Sequence, residues 1–342
     1  MKLRILLTFA MVAVAIPTIS AIAQEPVCPI PAEAQAPDLA FAPPTYIDET
    51  RAGGEPVSIV AQDGSLIVSA HAGTTHVYKN PDALPGARDF LVDYSNQTIH
   101  WRSVDGGKSW KKIGLFGDPE GPHTAQSSGF SDPDLAMDLG GRIYDVEINL
   151  ANDAVFSSVD DGQSWPHGNP FPAGGDRPWL TALEANEIYL YVNAYPKSSQ
   201  ISRDGGLTWT KYANLGPPIT SKAVRDPLNP EDGMIGPVDL GRFAISANDG
   251  QTWATHNFGQ LGQLGTQFFG TVGVDNAGNV YQAKAGGYSS NSDIVPNGQV
   301  SFTYYERATG NVNEDVIIIP TPPGDALWPW IMAGDDGRVA VV

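Results

Sequence analysis

An eight-residue pattern recurs four times in this chain: Ser103-Val-Asp-Gly-Gly-Lys-Ser-Trp110, Ser158-Val-Asp-Asp-Gly-Gln-Ser-Trp165, Ser202-Arg-Asp-Gly-Gly-Leu-Thr-Trp209 and Ser246-Ala-Asn-Asp-Gly-Gln-Thr-Trp253. Successive copies start 55, 44 and 44 residues apart. Self-similarity at that period marks an array whose unit is a small four-stranded sheet. The expected fold is therefore all-β, a β-propeller of four-stranded antiparallel blades. About six blades fit the length, the last of them incomplete.

The pattern has a local physical reading. Its third residue (Asp105, Asp160, Asp204) is placed to accept hydrogen bonds from backbone N–H groups two or three residues on, and Asn248 can form the same turn. Gly107, Gly162, Gly206 and Gly250 supply a positive φ. The closing Trp returns to the sheet, where its ring is expected to pack between neighbouring blades. This octapeptide resembles the Asp box, Ser-x-Asp-x-Gly-x-Thr-Trp, of the sialidase-like (BNR-repeat) propellers. The resemblance implies a propeller over residues 54–342 and a box on the outer strand pair, away from the active site. It also implies a carbohydrate-active, glycoside hydrolase-like function.

Sialidases of that family carry an Arg-Ile-Pro motif at the first blade, an arginine triad, an Asp acid/base and a Tyr-Glu nucleophile pair. Here the first-blade position reads Gly53-Gly54-Glu55-Pro56-Val57, without the arginine, and Tyr305-Glu306 are neighbours that a strand points to opposite faces. Exo-sialidase activity itself is not what these residues lead one to expect.

Residues 1–23 have a basic start (Lys2, Arg4), an apolar run from Ile5 to Ile16 and Ala21-Ile22-Ala23 as a small-x-small cleavage site, the signature of a secretory signal peptide. A secreted or periplasmic protein is expected, with no membrane insertion. Residues 24–53 are a Pro/Ala-rich linker or arm, whose part from Leu39 to Ile47 is a candidate outer strand for the last blade. The lone Cys28 excludes an internal disulfide. A net charge of −18, from 20 basic and 38 acidic residues, argues against nucleic acid and anionic membranes as partners.

A second repeat, a Gly, Asn or Asp turn followed by an alternating strand, marks the first hairpins of the blades: Asp63-Gly64, Gly140-Gly141, Asn186, Ala277-Gly278 and Asp336-Gly337. The spacing predicts blades over 55–113, 132–168, 176–214, 217–257 (degenerate) and 267–320, with a sixth from Trp328. The sequence stops in that blade's second strand. Either the arm supplies the missing strands or the sequence is a piece of a longer one, and the second is the expectation.

In such a blade the start of strand one and the turn between strands two and three share one end, and the boxes occupy the other. The first-strand starts should then ring the central channel: Gly54-Glu55-Pro56, Asp132-Pro133-Asp134, Asp176-Arg177-Pro178-Trp179, Gln267-Phe268-Phe269 and Trp328-Pro329-Trp330. Carboxylates converging beside an apolar wall suit glycoside hydrolysis, one kept protonated and one ionised. The candidate catalytic acids are Glu55, Asp132, Asp134 and Asp176. Arg177, Trp179, Trp328, Trp330 and Tyr288 are the candidate substrate-binding residues, although inter-blade packing competes for Trp179 and Trp330. The loops at 72–96 and 285–298 would rise on this face.

His71, His76 and His123 lack the spacing of a zinc motif, so no metal ligand set is read from them. No cofactor motif is present; aspartates at the channel either hydrogen-bond neighbouring strand ends or hold a structural cation such as calcium. The ligand expected is a glycan. The competing reading is a non-catalytic propeller that binds a glycan or an exported protein on the same face.

Overall fold

The protein is described from a computed structural model, which describes residues 4–5, 43–49, 54–71, 98–113, 131–149, 152–165, 167–193, 197–213, 217–259, 271–285, 300–313, 317–319 and 329–342. It is a β-propeller. Five antiparallel four-stranded sheets follow one another, each built from four consecutive strands, and a smaller sheet comes last.

Blade 1 comprises Gly54–Val60, Leu66–His71, Thr98–Ser103 and Lys111–Ile113. Blade 2 comprises Ser131–Met137, Ile143–Asn149, Asn152–Ser158 and His167–Ala173. In blade 3 the strands are Pro178–Ala182, Ile188–Val192, Ser198–Ser202 and Thr210–Lys211. Blade 4, expected to be degenerate, is a complete sheet of Val224–Arg225, Met234–Asp239, Arg242–Ser246 and Ala254–Asn257 with a two-residue inner strand. Blade 5 runs through Gly273–Val274, Val280–Ala285, Val300–Tyr305 and Ile317–Ile319.

Sheet six pairs Ile331–Ala333 with Arg338–Val341, and Arg4–Ile5 lies parallel to the latter. Arg4–Ile5 belongs to the segment expected to be removed on export. Residues 24–42 and 50–53 of the arm, with the first part of its candidate strand, lie outside the described residues. Among the described residues 43–49 there is no strand; Ile47 packs on Val68 and Trp101 of blade 1, and Asp48 accepts from the Trp101 indole at 3.2 Å.

The boxes turn as their residues dictate, with one difference of detail. Asp105 Oδ1 accepts the Ser109 N–H at 2.9 Å and Oδ2 the Ser109 hydroxyl at 2.6 Å, so the main backbone donor lies four residues on rather than two or three. Ser103 Oγ accepts the Gly107 N–H at 2.9 Å. Asn248 reproduces the turn by accepting the Thr252 N–H at 3.0 Å and donating to the Thr252 hydroxyl at 3.0 Å.

The core lies between blades rather than within them. Trp165 is fully buried among Ile67, Ile113, Leu135, Ile143 and Phe156, at the junction of blades 1 and 2. Trp209 and Trp253 pack at the next two junctions. Polar latches repeat across the same seams. Asp138, in the first turn of blade 2, accepts the Asn186 N–H of blade 3 at 2.7 Å, and Asp275, in that turn of blade 5, accepts the Gly337 N–H of blade 6 at 2.7 Å.

Candidate functional site

The inner strands surround a cavity of about 700 Å³ lined by residues of all six sheets, from Glu55 and Pro56 through Asp132 to Asp134, Arg177 to Trp179, Ser221 and Lys222, Thr271 to Val274, and Trp330 to Ala333. Three successive blades contribute the same local device at its mouth. Glu55, Asp132 and Arg177 each precede a proline and each has a positive φ, 47°, 53° and 59°. Such a conformation is uncommon for residues with a Cβ and persists only where the surroundings enforce it. In blades 1 and 2 it coincides with a register shift, between Gly54 and Val57 and between Ser131 and Asp134. The bulges turn two carboxyls and one guanidinium toward one another.

Arg177 Nη1 lies 3.2 Å from Glu55 Oε1, and its Nε lies 3.6 Å from Asp132 Oδ2. The Arg177 backbone N–H donates to Asp132 Oδ2 at 3.3 Å, and the Asp132 N–H donates to Glu55 Oε2 at 3.2 Å. Burial, then a side-chain hydrogen bond and the charge of Asp132, push Glu55 up to about 7. Asp176 is raised by burial and by its own hydrogen bond to Asp132. Asp132 is thus flanked by two acids, Glu55 and Asp176, both raised above the ordinary carboxylate range.

The structure therefore brings Glu55, Asp132, Asp176 and Arg177 together, while Asp134, which lines the same cavity, is held in a different set of contacts. Asp134 is buried, takes the Lys222 ammonium on Oδ1 at 2.6 Å and the Leu180 N–H on Oδ2 at 2.8 Å. Lys222 also donates to the Leu135 carbonyl at 2.8 Å. Both oxygens of Asp134 are engaged in joining blades 2, 3 and 4, a structural role for this cavity-lining acid. Trp179 is partly buried against the core between blades 3 and 4, while Trp330 lines the cavity and is 40 % exposed. Trp328, Tyr288, His76, His123, Cys28 and the loops at 72–96 and 286–298 lie outside the described residues.

Two features escaped the sequence reading. Lys222 and Arg225 come from blade 4, whose inner strand is too short to show an alternating pattern; Arg225 reaches the Ala182 carbonyl at 3.2 Å. Asp153, fully buried with both oxygens lacking a hydrogen-bond partner, starts the third strand of blade 2. Burial, then the charges of Asp132 and Asp176, push it up to about 7. The signal for Asp153 was available, because the turn between strands two and three shares the channel face.

No family model matches the sequence, and no curated protein matches it. Solved structures do. An α-L-arabinanase from Penicillium chrysogenum, complexed with arabinobiose, superposes with a TM-score of 0.50 at 14 % identity, covering 85 % of this chain and 87 % of that one. A leech intramolecular trans-sialidase gives 0.49 at 12 % identity over 89 % and 67 %, and the Hadza microbial sialidase Hz136 gives 0.48 at 14 % over 82 % and 61 %. The arabinanase superposition, together with the succession of four-stranded antiparallel sheets, supports the fold class, a β-propeller. Its distinguishing feature here is an acidic cluster with one arginine at the mouth of the central cavity.

Proposed function

We propose that this chain is an exported, carbohydrate-active propeller of the Asp-box type that hydrolyses a glycosidic bond at the cavity mouth. One observation carries the reading: Glu55, Asp132 and Arg177, at equivalent strained positions of three blades, converge with Asp176 on a cavity large enough for a sugar unit. Glu55, protonated near neutral pH, donates its proton to the departing glycosidic oxygen. Asp132, held against Arg177, is the carboxylate that assists water in adding to the sugar carbon, and the proton lost by that water returns to the acid cluster. Trp330 offers an apolar face for the ring.

A second reading has its own support. Glu55 and Asp132 are hydrogen-bonded to each other, closer than the roughly 5–10 Å that separates paired glycosidase carboxyls. A cluster locked in this way suits a propeller that binds a glycan or an exported protein without turning it over.

Release of free sugar from a panel of sialylated, neutral and arabinose-containing glycans separates the two. Under the first reading Glu55→Gln lowers release by about 100-fold or more without lowering the melting temperature. Binding without release by the wild-type chain would overturn it in favour of the second.

A further inference from the structure

Away from the cavity mouth, a second polar cluster lies in the seam between blades 1 and 2. His100 is on the third strand of blade 1; Asp145 and Glu147 share one face of the second strand of blade 2. All three are fully buried. His100 Nε2 and Asp145 Oδ2 are 2.7 Å apart, and one donor atom from each of the three residues falls within 4.8 Å of the others. Neither Glu147 oxygen, nor Asp145 Oδ1, nor His100 Nδ1 has a well-formed hydrogen bond among the described residues, although the Ser69 and Thr98 hydroxyls lie beside Asp145 and Glu147.

A buried carboxylate with neither oxygen well hydrogen-bonded, as in Glu147, is costly, and a second carboxylate beside it, Asp145, is paired at Oδ2 alone. We propose that His100, Asp145 and Glu147 form a structural site for one divalent transition-metal ion of the zinc class, which pins blade 1 to blade 2. The charge arithmetic favours it: a neutral imidazole and two carboxylates balance a doubly charged cation with nothing left over. The donor set is the mixed nitrogen and oxygen set that zinc accepts. Metal–ligand bonds of about 2.0–2.2 Å put neighbouring donors roughly 3–4 Å apart, so a shift of a few tenths of an ångström at His100–Asp145 admits the ion. The Trp165 ring, stacked 4.5 Å from the imidazole at 23°, already holds His100 in orientation.

Burial requires that the ion enter as the chain folds. The test is to unfold the full chain with chelator and refold it with Zn2+ or with chelator still present. Metal content after gel filtration and the melting temperature are then measured for wild type, Glu147→Gln and His100→Gln. The proposal expects about one ion per wild-type chain, a melting temperature higher by on the order of 10 °C at a free-metal concentration about 1,000 times Kd, and loss of both effects in the variants. A metal-free wild type, or an ion retained in both variants, overturns it. Should the variants fail to fold, refolding wild type with Co2+ decides: stoichiometric cobalt with visible ligand-field bands supports the site, and an absent spectrum refutes it.

Discussion

Asp134 and Lys222 show how one buried pair fixes the frame on which the mouth of the cavity stands. Their 2.6 Å contact spans 88 residues of sequence, and the Asp134 carboxylate is 4 % exposed. Burial raises the pKa of Asp134, and the Lys222 charge opposes that rise. Removing one partner of such a pair strands the other, which typically costs about 3–5 kcal/mol, whereas an apolar replacement of both can be nearly neutral. Asp134→Asn should therefore lower stability in urea denaturation by roughly 3 kcal/mol, and Asp134→Leu with Lys222→Met should recover most of the loss. Glu55→Gln, in the half-exposed cluster, strands no buried partner and should not lower the denaturation midpoint. A stable Asp134→Asn chain devoid of turnover would show instead that this residue acts in catalysis.

At the scale of the element, the box glycines are not equivalent. A Cβ on Gly162 would stand 2.3 Å from Ile67 Cδ1 of the preceding blade, whereas one on Gly106 meets nothing within 4 Å; both residues have a positive φ, 76° and 72°. Gly106→Ala should cost about 1 kcal/mol, the conformational part alone, and Gly162→Ala about 2–4 kcal/mol once overpacking against Ile67 is added. Equal losses in thermal denaturation would show that the seam yields easily. This same contact explains what was legible in the sequence. The box repeats because each copy must solve the same turn and the same seam, so its period announced the blades and the order of the first-strand starts. Blade 4 was misjudged because Val224–Arg225 is too short for any periodicity, and with it Lys222 was lost. His100 and Asp145 were missed for the opposite reason: they lie 45 residues apart, one blade of sequence, and metal spacings within a single turn or helix cannot reveal ligands that come from two adjacent blades. The same 45-residue step separates Asp132 from Arg177, which the ring of strand starts did expose.

For the molecule as a whole, the buried acids set the pH dependence of stability. Burial raises Asp153 to about 7 and Glu55 to about 7, each helped by Asp132, and raises Glu187 to about 7 with help from Asp249. A carboxyl whose folded pKa lies above its unfolded one holds its proton longer in the folded chain. The folded state therefore binds more protons between the two values, and stability falls as pH rises through that window, here from about 4 to about 7. The turn aspartates act in the other direction. Hydrogen bonds from the Ser109 hydroxyl and N–H hold Asp105 well below its ordinary range, so its contribution is complete above about pH 4 and is lost in stronger acid. The two trends together place maximum stability near pH 4–5, and the melting temperature should decline steadily from pH 5 to pH 8. Asp153 tests the assignment, because it is fully buried and feels the charges of Asp132 and Asp176. Asp153→Asn removes one titrating group and should reduce the slope of stability against pH by up to about 1.4 kcal/mol per unit between pH 5 and 7. Denaturation curves at three pH values, for wild type and the variant, measure that slope directly; a melting temperature that rises over this range would mean that these carboxyls are ionised in the folded chain, and with that the proton assigned to Glu55 would lose its basis.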